Sequence, residues 1–562
     1  MDNYQIAGFF SLLGKLMDIH GENSFKASSY LSAAFVIEKL PFQLTDTPKE
    51  KFISIRGIGE STGNKIIELI ETGSLPALQD MIERTPPGVI EMLNIKGIGP
   101  KKINTIWKEM EIETIGELLY ACRENRLKLY KGFGEKTQQN VIDSIEFYLG
   151  NSGSNLYPQV EAVETQVTAY LQHLFSPEKV FLTGNYKRQM EIIDELEYLV
   201  DGTNEMIKPK FLSANPPELL EEQPDCLLYK LLNGLKLRLY TGIGNIPERL
   251  FRTTGSREFT DAFTNRFPEI GLSGFTGTDD NRIFEQADLE YIPAPLRESA
   301  SIIDVAKTRA IPPPIKPEDI KGIIHSHSNW SDGSNTIEEM AMAAREQGLE
   351  YLVISDHSKS AFYAKGLSEE RIAAQHRLID ELNTQFHPFK IFKSIECDIL
   401  YDGNLDYSNI ILSTFDLVIV SVHSNLKMTE EKAMMRLLAA IENPYTTILG
   451  HMTGRLLLSR KGYPLDHERI IDACAANQVA IELNAHPSRL DIDWRYIDYA
   501  LEKNVLISID PDAHTIEGFK DIRYGVLCAQ KSMLTKTKNL SSFGLVDFEA
   551  YLKFRRKLKG IR

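Results

Sequence analysis

Nine side chains in the second half of this chain are of the kinds that hold metal ions, and they recur where apolar runs stop. The runs GIIHSH, YLVISDH, FKSIEC, LVIVSVH, TTILGH, VAIELNAH and VLISIDPDAH end around His325, His357, Glu396, His423, His451, Asn484 and Asp512, spaced 27 to 39 residues apart. His325 and His327 lie two apart, so a strand end turns both imidazoles to one mouth. With Asp332 and His514 the set comes to six imidazoles and three carboxylates, a mixed nitrogen and oxygen donor set suited to manganese, zinc or iron. Such ions acidify a water so that hydroxide exists near neutral pH, and they neutralise a phosphoryl group, so no side-chain nucleophile is required. A lone histidine in a strand is more often a satisfied core or surface residue. Six at repeated strand ends, joined by three carboxylates, are not explained that way. Arg455 and Arg460, just beyond His451, are candidates for holding a substrate phosphate, with surface salt bridging as the plainer alternative.

One strand plus one helix accounts for each interval, and helical patterns such as IEEMAMAAREQG and MMRLLAAIE fall between the runs. The expectation is a parallel, barrel-like α/β domain whose chemistry collects at the C-terminal ends of its strands. Ten of the twelve histidines lie beyond the proline-rich IPPPIKPED of residues 311–319, which reads as a stiff linker.

At 562 residues the chain is long enough for three or four compact units. Its 43% apolar and 25% charged residues are ordinary for a soluble protein. With no long apolar run and no signal-like start, a cytoplasmic protein is the expectation. The five scattered cysteines read as plain buried thiols. A net charge of −15 argues against holding nucleic acid by bulk electrostatics. The last ten residues, KFRRKLKGIR, are a candidate phosphate-contacting tail or else a solvated helix end.

Three phrases near the front offer another way to hold phosphate: ISIRGIGESTGNKIIELI, LNIKGIGPKKINTIW and LYKGFGEKTQQNVIDSI. In each, Gly-hydrophobic-Gly precedes an amphipathic helix, giving the pairs Gly57 and Gly59, Gly97 and Gly99, and Gly132 and Gly134. Such turns aim backbone N–H groups outward at a helix start, where a phosphate oxygen can sit without basic side chains. They resemble helix-hairpin-helix motifs, which contact DNA phosphates without reading sequence.

The phrases HSHSNWSDG, ISDHS, IECDILYDGNLDY, SVHS, GHMTGRLL, ELNAHPSRLDI and DPDAH resemble the polymerase-and-histidinol-phosphatase (PHP) domain at the C-terminus of bacterial family X DNA polymerases. That resemblance implies a distorted seven-stranded barrel with up to three ions. One is held by His325, His327, Glu396 and Asp512, the second by Glu396, His423 and His451, the third by Asp332, His357 and His514. Met452 and Ile323 depart from the usual pattern, where proline and aspartate stand.

The middle of the chain, VFLTGNYKRQMEIIDELEYLV with LNGLKLRLY and TTGSREF, is similar to the palm of the same polymerases. There the family's three aspartates would fall at Glu195, Glu197 and Arg238, and Asn185 replaces the serine that holds triphosphate. Magnesium and polymerase activity are therefore not expected at this site, and Glu195, with Glu197 as a second candidate, is expected to pair with Arg238. The expected architecture is multidomain α+β and α/β. Residues 1–80 and 81–155 are helical helix-hairpin-helix regions. Residues 156–300 form a degenerate nucleotidyltransferase palm and thumb, 301–318 a linker, and 319–562 the PHP phosphoesterase. The expected function is DNA repair by metal-dependent 3′-5′ removal of nucleotides or cleaning of 3′ ends, with His325, His327, Glu396 and Asp512 as catalytic ligands. The expected partner is gapped or 3′-ended DNA bound without sequence preference by a monomer away from membranes. The alternatives are an active gap-filling polymerase, a DNA-end scaffold whose metal site is structural, and a small-molecule phosphatase.

Overall fold

A computed structural model describes residues 1–40, 42–149, 153–211 and 216–561. It contains two compact units, one of Met1–Arg123 with Leu127–Tyr148, the other of Glu124–Arg126 with Leu149–Arg562. Among the described residues no helix is long and apolar enough to cross a membrane. All five cysteines are buried free thiols.

The first unit is helical. Three of its helices, α1 (Glu60–Thr72), α2 (Pro100–Lys108) and α3 (Glu135–Leu149), each follow one of the glycine turns. Gly57, Gly97 and Gly132 have φ of 98°, 96° and 93°, a backbone that side chains rarely adopt, so the three turns share one geometry. The residues between the glycines, Ile58, Ile98 and Phe133, are buried and anchor each turn to the unit. The second glycines differ from the first. Gly59 and Gly99 cap α1 and α2 with extended backbone, and a Cβ there would meet nothing. Their value is the bare space in front of the first helical N–H groups.

The second unit contains, in the stretch expected to be the palm, a mixed five-stranded sheet ordered β1-β2-β5-β4-β3, from β1 (Val180–Thr183), β2 (Glu195–Val200), β3 (Glu218–Gln223), β4 (Cys226–Lys230) and β5 (Lys236–Tyr240). Only β2 and β5 run parallel, and their register sets Glu197 beside Arg238 and Glu195 beside Lys236. A cluster of Phe251, Phe259, Phe263 and Phe284 follows. Ile302–Lys307, from the stretch expected to be linker, forms a helix that buries Ile302, Ile303 and Ala306 in that cluster.

The rest of the unit is built on parallel strands. A three-stranded sheet of β6 (Gly322–Ile323), β7 (Tyr351–Ile354) and β8 (Lys390–Lys393) is followed by a five-stranded one. The latter holds β9 (Glu396–Asp398), β10 (Val418–Ser421), β11 (Thr446–Leu449), β12 (Ala480–Asn484) and β13 (Ile507–Asp510) in sequence order. Only Ser394 and Ile395 separate β8 from β9, so the eight strands make seven runs. Isolated parallel bridges, Ser326 to Ala513 and His357 to Glu396, join the two sheets at the strands' C-terminal ends. Strands buried on both faces read as continuous apolar runs, which is why YLVI and VIVS carry no alternation.

The terminal helix α4 (Leu545–Leu558) packs against the parallel strands through Phe548 and Leu552. Phe548 is fully buried and stacks on Tyr351 with centroids 4.6 Å apart, a burial worth roughly 2 to 3 kcal/mol. The basic tail is therefore divided: Lys553, Lys557 and Leu558 stay exposed as a solvated helix end, while two arginines turn into the fold. Arg555 is buried and donates to the carbonyls of Thr446, Pro444 and Gln478, while Arg556 donates to Phe415 O at 2.9 Å. These guanidiniums tie the terminal helix to backbone carbonyls of the neighbouring strands and loops. Arg562 lies outside the described residues.

Candidate metal centre and the palm strand

The strand ends bring the nine expected residues into one buried cluster. Glu396, at the start of β9, lies at its centre. Its Oε1 is 2.9 Å from His451 Nε2, 3.0 Å from His423 Nε2 and 3.3 Å from His325 Nε2, and its Oε2 is 3.0 Å from His357 Nδ1 and 3.6 Å from His327 Nε2. Asp512 Oδ1 lies 3.1 Å from His327 Nε2 and 3.3 Å from His325 Nε2. Asp332 holds its two oxygens 3.5 Å from His357 Nε2 and from His514 Nε2. These groups overlap in three-dimensional space as His325–His327–Asp512, His325–Glu396–His451, His357–Glu396–His423 and His327–Asp332–His357–His514. Glu124, which groups with this unit, is buried with an oxygen in the same neighbourhood as Asp512 and His514.

The donor set fits metal ions. Two ligands about 2.1 Å from a common ion stand roughly 3.0 to 3.4 Å from each other, close to the separations found here. His325 Nε2, both Asp332 oxygens, Glu396 Oε2 and His514 Nε2 are buried without a hydrogen-bond partner, an arrangement that burial of polar atoms otherwise penalises. Three of the ligand positions use left-handed backbone, His325 at φ 60°, His451 at φ 20° and Asp512 at φ 52°. Such conformations cost about 1 to 3 kcal/mol each and persist only where the surroundings enforce them. Just before His451, Gly450 is required by space, since a Cβ there would come within 2.4 Å of Ser421 Oγ.

A layer behind the cluster fixes the rings. His325 Nδ1 is 2.5 Å from Glu482 Oε2, His423 Nδ1 is 3.1 Å from Asp398 Oδ1, and His514 Nδ1 donates to Asp512 O at 3.0 Å. Each contact occupies one nitrogen and leaves Nε2 for the cluster. Glu482 also accepts from His451 N and from Asn484 Nδ2. Glu482 and Asp398 escaped the sequence reading. The available signal was a carboxylate two residues from a cluster-facing one on the same strand, Glu482 before Asn484 and Asp398 after Glu396.

Without ions four of the six imidazoles are held toward their protonated form. Burial alone would lower His325, His357 and His423, but facing carboxylates raise all three well above 6.5: chiefly Asp512 for His325, Asp332 for His357 and Glu396 for His423. Against the same burial, Asp332 takes His514 up to about 9. His327 moves the other way, to about 3, through burial and its neighbours His514 and His357. Metal ligation requires neutral imidazole, so ion binding must expel protons. The expected result is that manganese affinity rises with pH toward about 9, where the His514 proton is lost, and that binding releases protons. Calorimetric titration in buffers of different ionisation enthalpy measures both, and flat affinity without release contradicts the assignment. The metal-free fold responds oppositely. Raised histidine values stabilise it fully below 6.5, and that contribution disappears as pH climbs through about 9.

The two arginines expected to hold phosphate are otherwise engaged. Arg455 donates to Asp493 at 2.6 Å, to Arg489 O at 3.0 Å and to Leu490 O, and Arg460 donates to Gly454 O through Nε and Nη2. Their side chains turn into the surrounding loops. Arg489 is the arginine found beside the cluster, with Nε 3.9 Å from Asp512 Oδ2.

In the palm, Glu195 and Arg238 form the expected pair, with Nε to Oε1 at 2.6 Å and Nη2 to Oε2 at 3.0 Å. Glu197 does not join it. Its Oε1 accepts from Asn185 N and its Oε2 from Tyr240 OH, both at 2.9 Å, so it closes the turn before β2 instead. Arg188, on that turn, is bonded to Glu298, to Thr254 O and to Asn185. Lys531 completes a buried knot by donating to Glu298 and to Arg188 O at 2.9 Å each.

Comparison with known proteins agrees with this layout. A Helix-hairpin-helix domain model matches residues 1–75, a SAM-like Helix-hairpin-helix tandem matches 89–146, and the PHP domain matches 324–486. The PHP match spans seven of the nine cluster residues, and the fold supplies Asp512 and His514 from beyond it. A protein of Acetivibrio thermocellus named "Probable phosphatase" is 29% identical over 166 residues, 29% of this chain and 64% of that protein. A probable phosphatase of Vibrio parahaemolyticus is 26% identical over 232 residues, 39% and 88% of the two chains. The "DNA polymerase/3′-5′ exonuclease PolX" of Bacillus subtilis is 31% identical over 577 residues, covering 98% of this chain and 100% of that protein. Full-length similarity to that protein, with hairpins in front and a PHP domain behind, means that this chain belongs to the bacterial PolX family of family X DNA polymerases.

Proposed function

We propose that this PolX protein shortens or cleans DNA at 3′ ends as a metal-dependent phosphoesterase, and that its palm no longer polymerises. The observation that carries the reading is the buried cluster around Glu396, with all nine donors converging at the strand ends. Manganese is the favoured ion, zinc or iron the alternatives. When bound, the ions supply an acidified water and offset charge on the phosphoryl and leaving oxygens. The chain's own residues hold the donors in place: Glu482 and Asp398 fix the His325 and His423 rings, and Glu396 ties three imidazoles to one oxygen. Arg489 takes the part first expected of Arg455 and Arg460, steadying the substrate phosphate beside Asp512. The printed name of the Bacillus subtilis relative supports DNA as substrate, as do the three hairpins, and a monomer acting without sequence preference is sufficient. A 3′-labelled gapped duplex incubated with manganese tests the reading. Progressive loss of label that stops with a chelator is expected, and an inert duplex overturns it.

The two glycines of each hairpin make separable predictions for DNA binding. Gly97→Val forces a branched side chain onto φ 96° and strains the fold. Gly99→Val is tolerated sterically but places methyl groups before the α2 N–H donors. Losing charge-assisted bonds of this kind costs about 1.5 to 3 kcal/mol. Gly59→Val combined with Gly99→Val is therefore expected to weaken duplex binding at least about tenfold, equally for unrelated sequences, with unchanged melting. Anisotropy titration measures it, and unaltered affinity makes the hairpins purely structural.

A further inference from the structure

Two loops at the C-terminal side of the barrel are stitched together and each presents an exposed aromatic ring. The first leaves β7 through His357 and returns at Leu367, whose N–H donates to His357 O at 2.9 Å. The second follows β9. Ser358 Oγ donates to Asp398, Lys359 N to Tyr407 OH, Ser360 N and Oγ to Asp406, and Tyr407 OH to Leu367 O. Ala361, Ala364 and Leu367 are buried, so the first loop is packed from inside. Yet Phe362 on that loop is 82% exposed and Tyr401 on the second is 62% exposed. A single exposed apolar residue is ordinary. Two aromatic rings on rigid, mutually bonded loops, both rooted in cluster residues or their supports, are a built surface.

A lysine belongs to the first loop, and another packs against the ring of the second. Lys365, exposed, closes the turn that begins at Phe362, donating its N–H to Phe362 O at 3.1 Å. Lys432 Nζ sits 3.3 Å from the centroid of Tyr401. Exposed ring faces on adjacent loops, with a cation against one and an exposed lysine in the turn of the other, match the alternation of base and phosphate along a single strand. A duplex hides its base faces, and a small phosphate ester needs no such rim.

We propose that Phe362 and Tyr401 form a stacking rim for the unpaired bases of a single-stranded 3′ end entering the metal centre, with Lys365 facing its backbone. This rests on the phosphoesterase reading above and narrows its substrate to single-stranded polynucleotide. Sequence tolerance follows, because every base has a face to stack.

The test uses the full chain and an oligonucleotide duplex with a single-stranded 3′ overhang carrying 2-aminopurine at its last position, with chelator present so that nothing is cleaved. Binding to the wild type should quench the terminal fluorophore. Phe362→Ala with Tyr401→Ala should abolish the quench while a fluorophore inside the duplex reports unchanged binding, and Phe362→Tyr should restore part of it. With manganese, the double variant should raise the KM for overhang shortening about 5- to 100-fold at similar kcat and leave bis(p-nitrophenyl) phosphate hydrolysis as it was. An equal terminal quench in the double variant and the wild type overturns the rim. Wild-type protein inert toward both substrates removes the phosphoesterase reading alone, and the terminal quench then still decides the rim.

Discussion

His325→Ala and His423→Ala are each expected to lower the proposed manganese-dependent 3′-end hydrolysis by at least about 100-fold while the protein stays folded. His325 Nε2 stands 3.3 Å from both Glu396 and Asp512, and His423 Nε2 stands 3.0 Å from Glu396, so either deletion opens a gap beside the central carboxylate. Folding should survive because the ligands are not what holds the parallel strands together. The apolar runs and α4 do that. Glu482→Gln separates support from ligation. It keeps a hydrogen-bond partner for His325 but loses the charge, and an effect of about 10- to 100-fold on metal affinity is expected. Metal content by mass spectrometry, melting temperature and release of 3′ label are the three readouts. Full hydrolysis by either alanine variant places the chemistry outside this cluster.

What the sequence made legible was whatever local order encodes. A strand that is buried on both faces and stops at a polar residue has the same signature every 27 to 39 positions, so the ends at His325, His357, Glu396, His423, His451 and Asp512 could be read in one dimension. The convergence of those ends follows from parallel strands, since each brings its C-terminal end to the same rim. Direction of a long side chain is a different matter. Arg455 lies four residues beyond a cluster histidine, yet its donors are taken by Asp493 and by two carbonyls from residues 489 and 490. Arg489 lies far from any expected phosphate position in sequence and reaches Asp512 because the β12 to β13 connection folds back. In the basic tail the same limit applies to one residue: charge density suggests solvent or phosphate, which holds for the exposed Lys553 and Lys557, whereas Arg555 turns inward to the carbonyls of Thr446 and Pro444.

The palm should add no nucleotides to a primer, and restoring it should require changing Glu195, Glu197 and Arg238 together. Magnesium needs ligands at about 2.0 to 2.1 Å in near-octahedral order, and a glutamate in an aspartate's place moves its carboxylate by about 1 Å or more. Misplacement on that scale can cost on the order of 100-fold by itself. The structure adds two stronger obstacles. Both oxygens of Glu195 are bound to the Arg238 guanidinium at 2.6 and 3.0 Å, and both oxygens of Glu197 are bound to Asn185 N and Tyr240 OH at 2.9 Å. Arg238 faces Cys226 and Glu195 with its pKa raised by the Glu195 hydrogen bond, so the cation is permanent at any working pH. Glu195→Asp with Glu197→Asp therefore leaves a positive charge where two ions must sit, and no extension is expected from it. Adding Arg238→Asp removes that charge and supplies a third carboxylate from β5, which the parallel register already sets beside β2. Templated extension should appear only in this triple variant, measured on a gapped primer with every protein also carrying His325→Ala so that shortening does not erase the product. Vigorous templated extension by the chain with Glu195, Glu197 and Arg238 intact would show that the longer carboxylates can leave their present partners and hold the ions, and the palm would then be an active polymerase.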